Sequence, residues 1–302
     1  MRLATFAHAP DAPDRVGALV AGGMLDLTAA LPEVVPGDLK RLIADGDGAL
    51  AAVRAAVADP PSRHVLALDG LVLRAPIPRP GKLVGVGLNY AEHVDESSRT
   101  LDTSADLPTR PVLFDKPATA VVGPDAPILH DHTLTAQLDW EAELAVVIGR
   151  AARRVRAQDA LGHVFGYSVV NDVSARDQRR SGQWFFSKGQ DSFAPFGPWL
   201  VTADEIDDPH DLRIGLRVNG VSKQDSSTRH MLFRIPQLIA DISSGMTLEP
   251  GDVIATGSPP GVGAGRTPPE FLRPGDVVEA EVERIGILRN PVVDATVGAG
   301  AR

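Results

Sequence analysis

The stretch Asp139-Trp140-Glu141-Ala142-Glu143-Leu144-Ala145-Val146-Val147-Ile148 alternates acidic residues at its start and closes on an unbroken apolar run. The apolar half reads as a strand buried inside a sheet. Alternate side chains of a strand leave on the same side, so Glu141 and Glu143 aim at one point. Carboxylates packed that closely repel one another and are costly to bury, and a hard divalent cation with oxygen ligands is the simplest compensation. An edge strand with one solvated acidic face is the competing reading, and Asp139 on the same face fits either.

Working outward, residues 165–170 form a second apolar run that ends in Asn171-Asp172, which places another carboxylate at the end of a buried element. Glu141, Glu143 and Asp172 together offer three oxygen ligands and leave positions for water and substrate. Asp172 could instead cap a helix starting near Ser174, where Asp177 would complete the capping arrangement. Further strands are expected over residues 83–86, 212–218, 253–256 and 277–282, and short helices from Ala157 and Pro236.

Residues 38–58 have helical character interrupted by Asp45-Gly46-Asp47-Gly48, and with the short apolar runs before them they suggest a small α+β lobe over residues 1–75. The proline-rich segment 74–81 is stiff and poor in helix or sheet potential, so a boundary is expected there, followed by a mostly β catalytic domain over 76–302. The length of 302 residues allows two such units.

The composition excludes several classes. There are no cysteines, which removes disulfides, thiolate zinc sites and cysteine nucleophiles. A net charge of -9 gives no footprint for nucleic acid. No apolar run approaches the roughly 20 residues a bilayer span needs, and the first ten residues lack a leader pattern, so no membrane role and a cytoplasmic location are expected. His130-Asp131-His132 reads as a solvated turn, and no serine has the surroundings of a hydrolase nucleophile.

The ordered set Gly87-Leu88-Asn89-Tyr90-Ala91-Glu92-His93, Lys116-Pro117, Asp139 to Leu144, Asn171-Asp172-Val173-Ser174-Ala175-Arg176-Asp177, Lys188 and Thr256-Gly257-Ser258-Pro259 resembles the fumarylacetoacetate hydrolase family, within it the short acylpyruvate hydrolase and oxaloacetate decarboxylase branch. The resemblance runs from about residue 82 to about residue 290. It implies an α+β, mostly β fold, a mixed β-sandwich or roll of the family's C-terminal type, in a homodimer. It also implies Mg2+, or Mn2+, on Glu141, Glu143 and Asp172, in agreement with the carboxylate argument, and a small anionic 2-oxo acid as substrate.

The chemistry so implied is cleavage of a C–C bond in a 2,4-dioxo acid, an acylpyruvate or fumarylacetoacetate-like compound, through a metal-stabilised enolate. Oxaloacetate decarboxylation and isomerisation of 2-hydroxyhepta-2,4-diene-1,7-dioate share that enolate, as does keto-enol isomerisation. A noncatalytic small-diacid binding protein is the reading from a different class. His93 is the expected general base with Glu96 as its partner one helical turn on, in a polar segment, residues 95–99, expected to act as a lid. Lys188, flanked by Phe185, Phe186 and Phe193, is expected to meet a substrate carboxylate or oxyanion, a plain surface lysine being the alternative.

Substrate contacts are expected from Tyr90, Arg176, Arg179, Gln190, Thr256 and Gly257; Arg176 could also pair with a metal ligand, and Thr256 and Gly257 open a glycine-rich loop. Two departures bear on the distal end of the substrate. Many relatives have Gln three residues after the arginine that matches Arg176, whereas this chain has Arg179 there with Gln178 beside it. The usual Lys-Ser pattern is Lys188-Gly189-Gln190 here, and Ser258 stands where Thr is usual.

Overall fold

The computed structural model describes residues 1–100 and 106–295, the side chains of residues 95 and 97–100 excepted. The chain is mostly β with mixed pairing, and among the described residues it forms a 12-stranded, a five-stranded and a two-stranded sheet. Ala142–Ile148 runs through the middle of the large sheet, antiparallel to Val164–Asn171 on one side and to Val253–Ala255 on the other. Leu83–Gly87 follows in parallel with Val253–Ala255.

The unbroken apolar run has a physical reason: this strand is covered on both faces. Leu144, Val146 and Ile148 pack in one core with Ile214, Leu216 and Val278 of the five-stranded sheet and with Leu238 and Ile239 of the helix Ile235–Gly245. Ala145 and Val147 point the other way, into a core with Leu39, Leu42 and Val53 from the helices Leu39–Asp45 and Asp47–Ala58. A strand that must be apolar on both faces loses the usual alternation. Truncating Leu144 or Val146 would open a void in a closed interior, at a cost of about 2–5 kcal/mol for a leucine.

The break expected at residues 45–48 is realised by Gly46, whose φ of 76° lies in the left-handed region and separates the two helices, while Asp38 caps the first by accepting from the Lys40 amide. Strand Arg2–Ala7 adds directly to the large sheet, antiparallel to Ala194–Thr202, so the N-terminal strands share its hydrogen-bond ladder. The expected strands over residues 83–86, 143–148, 165–170, 212–218, 253–256 and 277–282 all form, within a residue or two at their ends.

The helix expected from Ser174 does not form. Ser174–Ala175 pairs instead with Leu138–Asp139 as a two-stranded ribbon, followed by a 3-10 turn over Arg176–Gln178. Asp177 caps nothing there; its carboxylate accepts from the Thr135 hydroxyl and the Ala136 amide. Cross-strand pairing has won over a local capping signal, and the ribbon brings Asp139 opposite Ser174.

Pairing order explains where function concentrates. Ala142 sits opposite Asn171 in the central antiparallel pair, so Glu141 just before one strand and Asp172 just after the other lie at the same end of the sheet. The parallel strands Leu83–Gly87 and Val253–Ala255 run out at that end too, delivering the segments that begin at Leu88 and at Thr256.

Candidate active site

Glu141, Glu143 and Asp172 converge, each buried, with one carboxylate oxygen apiece lying within 4.8 Å of the others. Backbone bonds fix the pair at the strand ends: the Asp172 amide donates to the Glu141 carbonyl at 2.8 Å and the Glu141 amide to the Asn171 side chain at 3.0 Å. Asp172 therefore caps no helix. Its two oxygens accept from Lys116 Nζ and Lys188 Nζ, each at 2.5 Å. Lys188 Nζ also donates to Glu141 Oε2 and to the Ser174 hydroxyl, both at 2.9 Å.

Arg176 is buried beside them. Its Nε donates to Asp139 Oδ2 at 2.8 Å and its Nη1 lies 2.7 Å from Glu141 Oε1, while Nη2 is buried without a hydrogen-bond partner. Asp139 itself is not on a solvated acidic face: it is fully buried and also accepts from the amides of Trp140, Gly263 and Ala264. Glu143 accepts from the Gly257 amide at 2.8 Å. Gly257 has a φ of 101° and a β-carbon there would meet Asn89 at 2.6 Å, so glycine is required where the loop turns toward Glu143.

The electrostatics follow from these neighbours. Burial alone would raise Glu141, but the Lys188 and Arg176 charges overcome it and hold that carboxyl well below its ordinary range. Glu143 goes the other way: burial, then the Asp172 and Glu141 charges, push it well up. Burial opposes the charge on Lys188, yet Asp172 and Glu141 more than restore it, so the ammonium is favoured. Lys116 is lowered by burial, its Asp172 partner only partly offsetting that.

The donor set fits a divalent cation. Four buried carboxylates, Asp139, Glu141, Glu143 and Asp172, face three buried cations, Lys116, Arg176 and Lys188, so full ionisation would leave one negative charge uncompensated in a dry environment. The excess falls on Glu143. An all-oxygen triad suits a hard dication such as Mg2+ or Mn2+ better than a metal that prefers nitrogen or sulfur. His130 and His132 do not join it: His130 is buried with Nε2 against the Thr135 carbonyl, and His132 is exposed.

A narrow pocket of about 30 Å3 opens beside the carboxylates, bordered by His93, Glu141, Arg176, Arg179, Trp184 and Lys188. His93 Nδ1 lies 3.0 Å from Glu96 Oε2, and both Glu96 oxygens also face the Gly261 amide, at 3.0 and 3.2 Å. A carboxylate accepts, so Nδ1 is the donor in this pair, and in the neutral ring that arrangement puts the lone pair on Nε2. The pair sits on the helix Ala91–Thr100; of the expected lid, Asp95, Ser97, Ser98 and Arg99 lie outside the described side chains.

The remaining expected residues are placed unevenly. Tyr90 is buried, its hydroxyl without a hydrogen-bond partner, and burial followed by the Glu143 charge pushes its pKa up. The Thr256 hydroxyl is turned into the sheet, donating to the Leu144 carbonyl, and Gly257 faces Glu143. Gln190 stands apart from the pocket border and donates to the Phe186 carbonyl. Around Lys188 the aromatic walls are Phe114 and Trp184, with ring centroids 4.9 and 5.9 Å from Nζ, whereas Phe185 and Phe186 are exposed. Lys116, Asp139 and Trp184 are the residues that sequence reasoning left without a role, although the first two stand inside the motifs that carried the resemblance.

The mixed β fold thus brings three buried, converging carboxylates that could hold a metal ion beside a histidine–glutamate pair. Residues 82–293 match the family model for the fumarylacetoacetate hydrolase C-terminal domain. The chain is 41% identical over 298 residues to the mitochondrial oxaloacetate tautomerase of Xenopus laevis, covering 97% of this chain and 90% of that protein. Among solved structures it resembles a fumarylacetoacetate hydrolase from Exiguobacterium antarcticum at 40% identity, with a TM-score of 0.82 over 97% of this chain and 99% of that one. A maleylpyruvate hydrolase from Sphingobium sp. SYK-6, solved with manganese(II) and pyruvate, is 31% identical with a TM-score of 0.77, covering 97% of this chain and 99% of that one. The chain belongs to the fumarylacetoacetate hydrolase family. No helix among the described residues is long and apolar enough to cross a membrane.

Proposed function

We propose that the protein interconverts the keto and enol forms of a small 2-oxo diacid, with oxaloacetate as the leading substrate, in a reaction that depends on Mg2+ or Mn2+ held by Glu141, Glu143 and Asp172. The observation that supports this most is the placement of His93, which borders the same pocket as Glu141, Arg176 and Lys188 and has its Nδ1 held by Glu96. Enolisation needs a base at C3 and positive charge at the developing oxyanion, and little else. The name of the Xenopus laevis relative favours oxaloacetate over the C–C hydrolysis that the motifs alone suggest.

In this reading Glu141, Glu143 and Asp172 would hold a divalent cation, which would supply Lewis-acid stabilisation of the developing enolate. His93 Nε2 takes the proton from C3, and the electron pair of that C–H bond becomes the C2–C3 double bond while the carbonyl electrons move onto O2. Lys188 sits beside the carboxylates where it can compensate that charge. Glu96 holds the ring in the tautomer that accepts at Nε2 and favours the imidazolium that forms. A proton from water on O2 completes the enol while His93 gives the C3 proton to water, so base and solvent are restored, and the reverse sequence regenerates the keto form.

The test follows the ultraviolet absorbance of enol oxaloacetate on mixing with the purified protein, with added Mg2+ or Mn2+ and with excess chelator. Cation-dependent acceleration that is lost in His93→Ala is expected; a wild-type protein that leaves the uncatalysed rate unchanged in saturating cation would sink the proposal. A second reading, hydrolysis of an acylpyruvate with the His93–Glu96 pair activating water, draws on the likeness to the Sphingobium hydrolase. Pyruvate release from maleylpyruvate or acylpyruvates distinguishes it, and saturable binding with no turnover of any of these acids would favour a binding protein.

A further inference from the structure

Leu88 stands in a backbone conformation that its own side chain makes costly. Its φ is 57°, in the left-handed region, where a β-carbon crowds the following carbonyl. Elsewhere the chain meets such a φ with glycine, as at Gly46 and Gly257, or with a polar residue. Leu88 is the one apolar side chain at a positive φ among the described residues. It is half-buried, yet it joins none of the hydrophobic cores that those residues form. It borders the pocket shared by His93, Glu141 and Lys188 instead.

Both neighbours hold it there. Gly87 pairs with Val112 in the large sheet, and a β-carbon on it would lie 2.0 Å from Trp184 Cζ3, so position 87 has no room for a side chain. Asn89 is fully buried: its Nδ2 donates to the Phe233 and Thr256 carbonyls at 3.0 and 2.7 Å, and its Oδ1 accepts from the Phe233 amide at 2.7 Å. Strain persists where the surroundings over-determine a conformation, and it clusters at functional sites. Of the other apolar side chains that border the pocket, Val86 belongs to the main core and Trp184 meets Phe114 edge-on at 5.4 Å. Leu88 has a part in neither a core nor an aromatic pair.

We infer that Leu88 is a specificity-determining residue, held by its strained backbone as an apolar wall that limits the pocket to 2-oxo acids unbranched at C3. The inference rests on the proposed function for the class of acid and for the end that meets Glu141, Glu143 and Asp172. With that end fixed, C3 is the next carbon out into a pocket of only about 30 Å3. A second substituent on C3 has to displace an isobutyl group whose backbone is clamped on both sides, and overfilling a fixed wall by one methyl group is unfavourable. Glycine at position 88 would relieve the backbone and leave that wall open, which is why the costlier leucine has a use here.

The experiment is competition calorimetry on the full-length, Mg2+-loaded protein, with 2-oxobutyrate and 3-methyl-2-oxobutyrate displacing oxalate. The two oxo acids differ by one methyl group on C3. Wild type is expected to bind 2-oxobutyrate at least about tenfold more tightly. In Leu88→Ala and Leu88→Gly that ratio should fall by about tenfold, with oxalate affinity within about twofold of wild type as the report that the site is folded. Thermal melts supply the second readout: Leu88→Gly, free of the strain, should melt about 2 °C or more above Leu88→Ala. A wild type that binds both oxo acids alike, a ratio unchanged in the variants, or Leu88→Gly melting below Leu88→Ala would overturn the inference, and with enolisation intact would leave the proposed reaction untouched. A wild type that fails to enolise oxaloacetate while the ratio still collapses in the variants sinks the reaction and leaves the size limit standing.

Discussion

Gly265 faces Glu96 so closely that a β-carbon placed on it would lie 2.2 Å from the Glu96 carboxyl carbon. The same loop gives Glu96 the Gly261 amide, gives Asp139 the Gly263 and Ala264 amides, and gives Glu143 the Gly257 amide. One glycine-rich segment thus uses backbone donors to set three carboxylates with different tasks. Gly265→Ala adds a methyl group without backbone strain, since its φ is not left-handed, and the part that must yield is the end of the Glu96 side chain. We expect a drop in enolisation rate of about 10- to 100-fold, because His93 loses its orienting partner. Mn2+ affinity should not change. A fall in Mn2+ affinity equal to the fall in rate would mean that the loop serves the cation and not the histidine.

Glu143→Gln keeps the shape of the triad and removes the charge that burial and two like charges disfavour. The cation-free variant should melt at or above the wild-type temperature. Its response to metal should vanish: at a cation concentration 100-fold above Kd the wild type gains about 2.7 kcal/mol, and the variant should gain almost none. Thermal melts with and without Mn2+ measure both. A variant that keeps the full Mn2+ response would remove Glu143 from the ligand set.

Because the Glu143 pKa is raised, the folded cation-free protein retains a proton that the unfolded chain has released. The stability this group contributes is present below its unfolded pKa and is lost as pH rises through the folded value. A cation binds the ionised carboxylate, so its affinity should rise with pH across that window, and binding should expel a proton. Mn2+ titration calorimetry in two buffers of different ionisation enthalpy reads the proton directly. Identical heats in both buffers would show that no proton is displaced.

Much of this arrangement is legible in the sequence, for physical reasons that differ from residue to residue. The strand Ala142–Ile148 is visible because double-sided burial leaves an apolar run, and Glu141, Glu143 and Asp172 are visible because carboxylates at the ends of such runs demand compensation. Lys116 is not: a lysine before a proline looks like surface, and only the pairing of distant segments places it wholly buried against Asp172. The Arg2–Ala7 to Ala194–Thr202 ladder has no local signal either, since its strands are far apart in the chain. Ser174 misleads for the opposite reason. Its local signal is strong, and pairing with Asp139 overrides it. Phe185 and Phe186 suggest an apolar wall next to Lys188 by adjacency alone, whereas the wall is built from Phe114, on a separate strand, and Trp184.

His210 ties acid stability to the helix that closes the core. Its Nε2 accepts from the Ile235 amide at 3.1 Å, satisfying one of the orphan donors at the start of Ile235–Gly245, and its Nδ1 lies 3.3 Å from Asp208. Only a neutral ring can accept at Nε2. Burial lowers the His210 pKa despite the Asp208 charge, so the unfolded chain takes up the proton first as pH falls. The stabilisation is therefore present above the unfolded value and is lost as pH drops through the folded one. The helix supplies Leu238, Ile239 and Ile242 to the core against the five-stranded sheet, so its loosening should be felt globally. Melting temperatures measured from pH 7.5 to pH 5 should fall more steeply for the wild type than for His210→Gln, whose amide oxygen accepts at every pH. Parallel slopes for the two proteins would assign the acid loss to other groups.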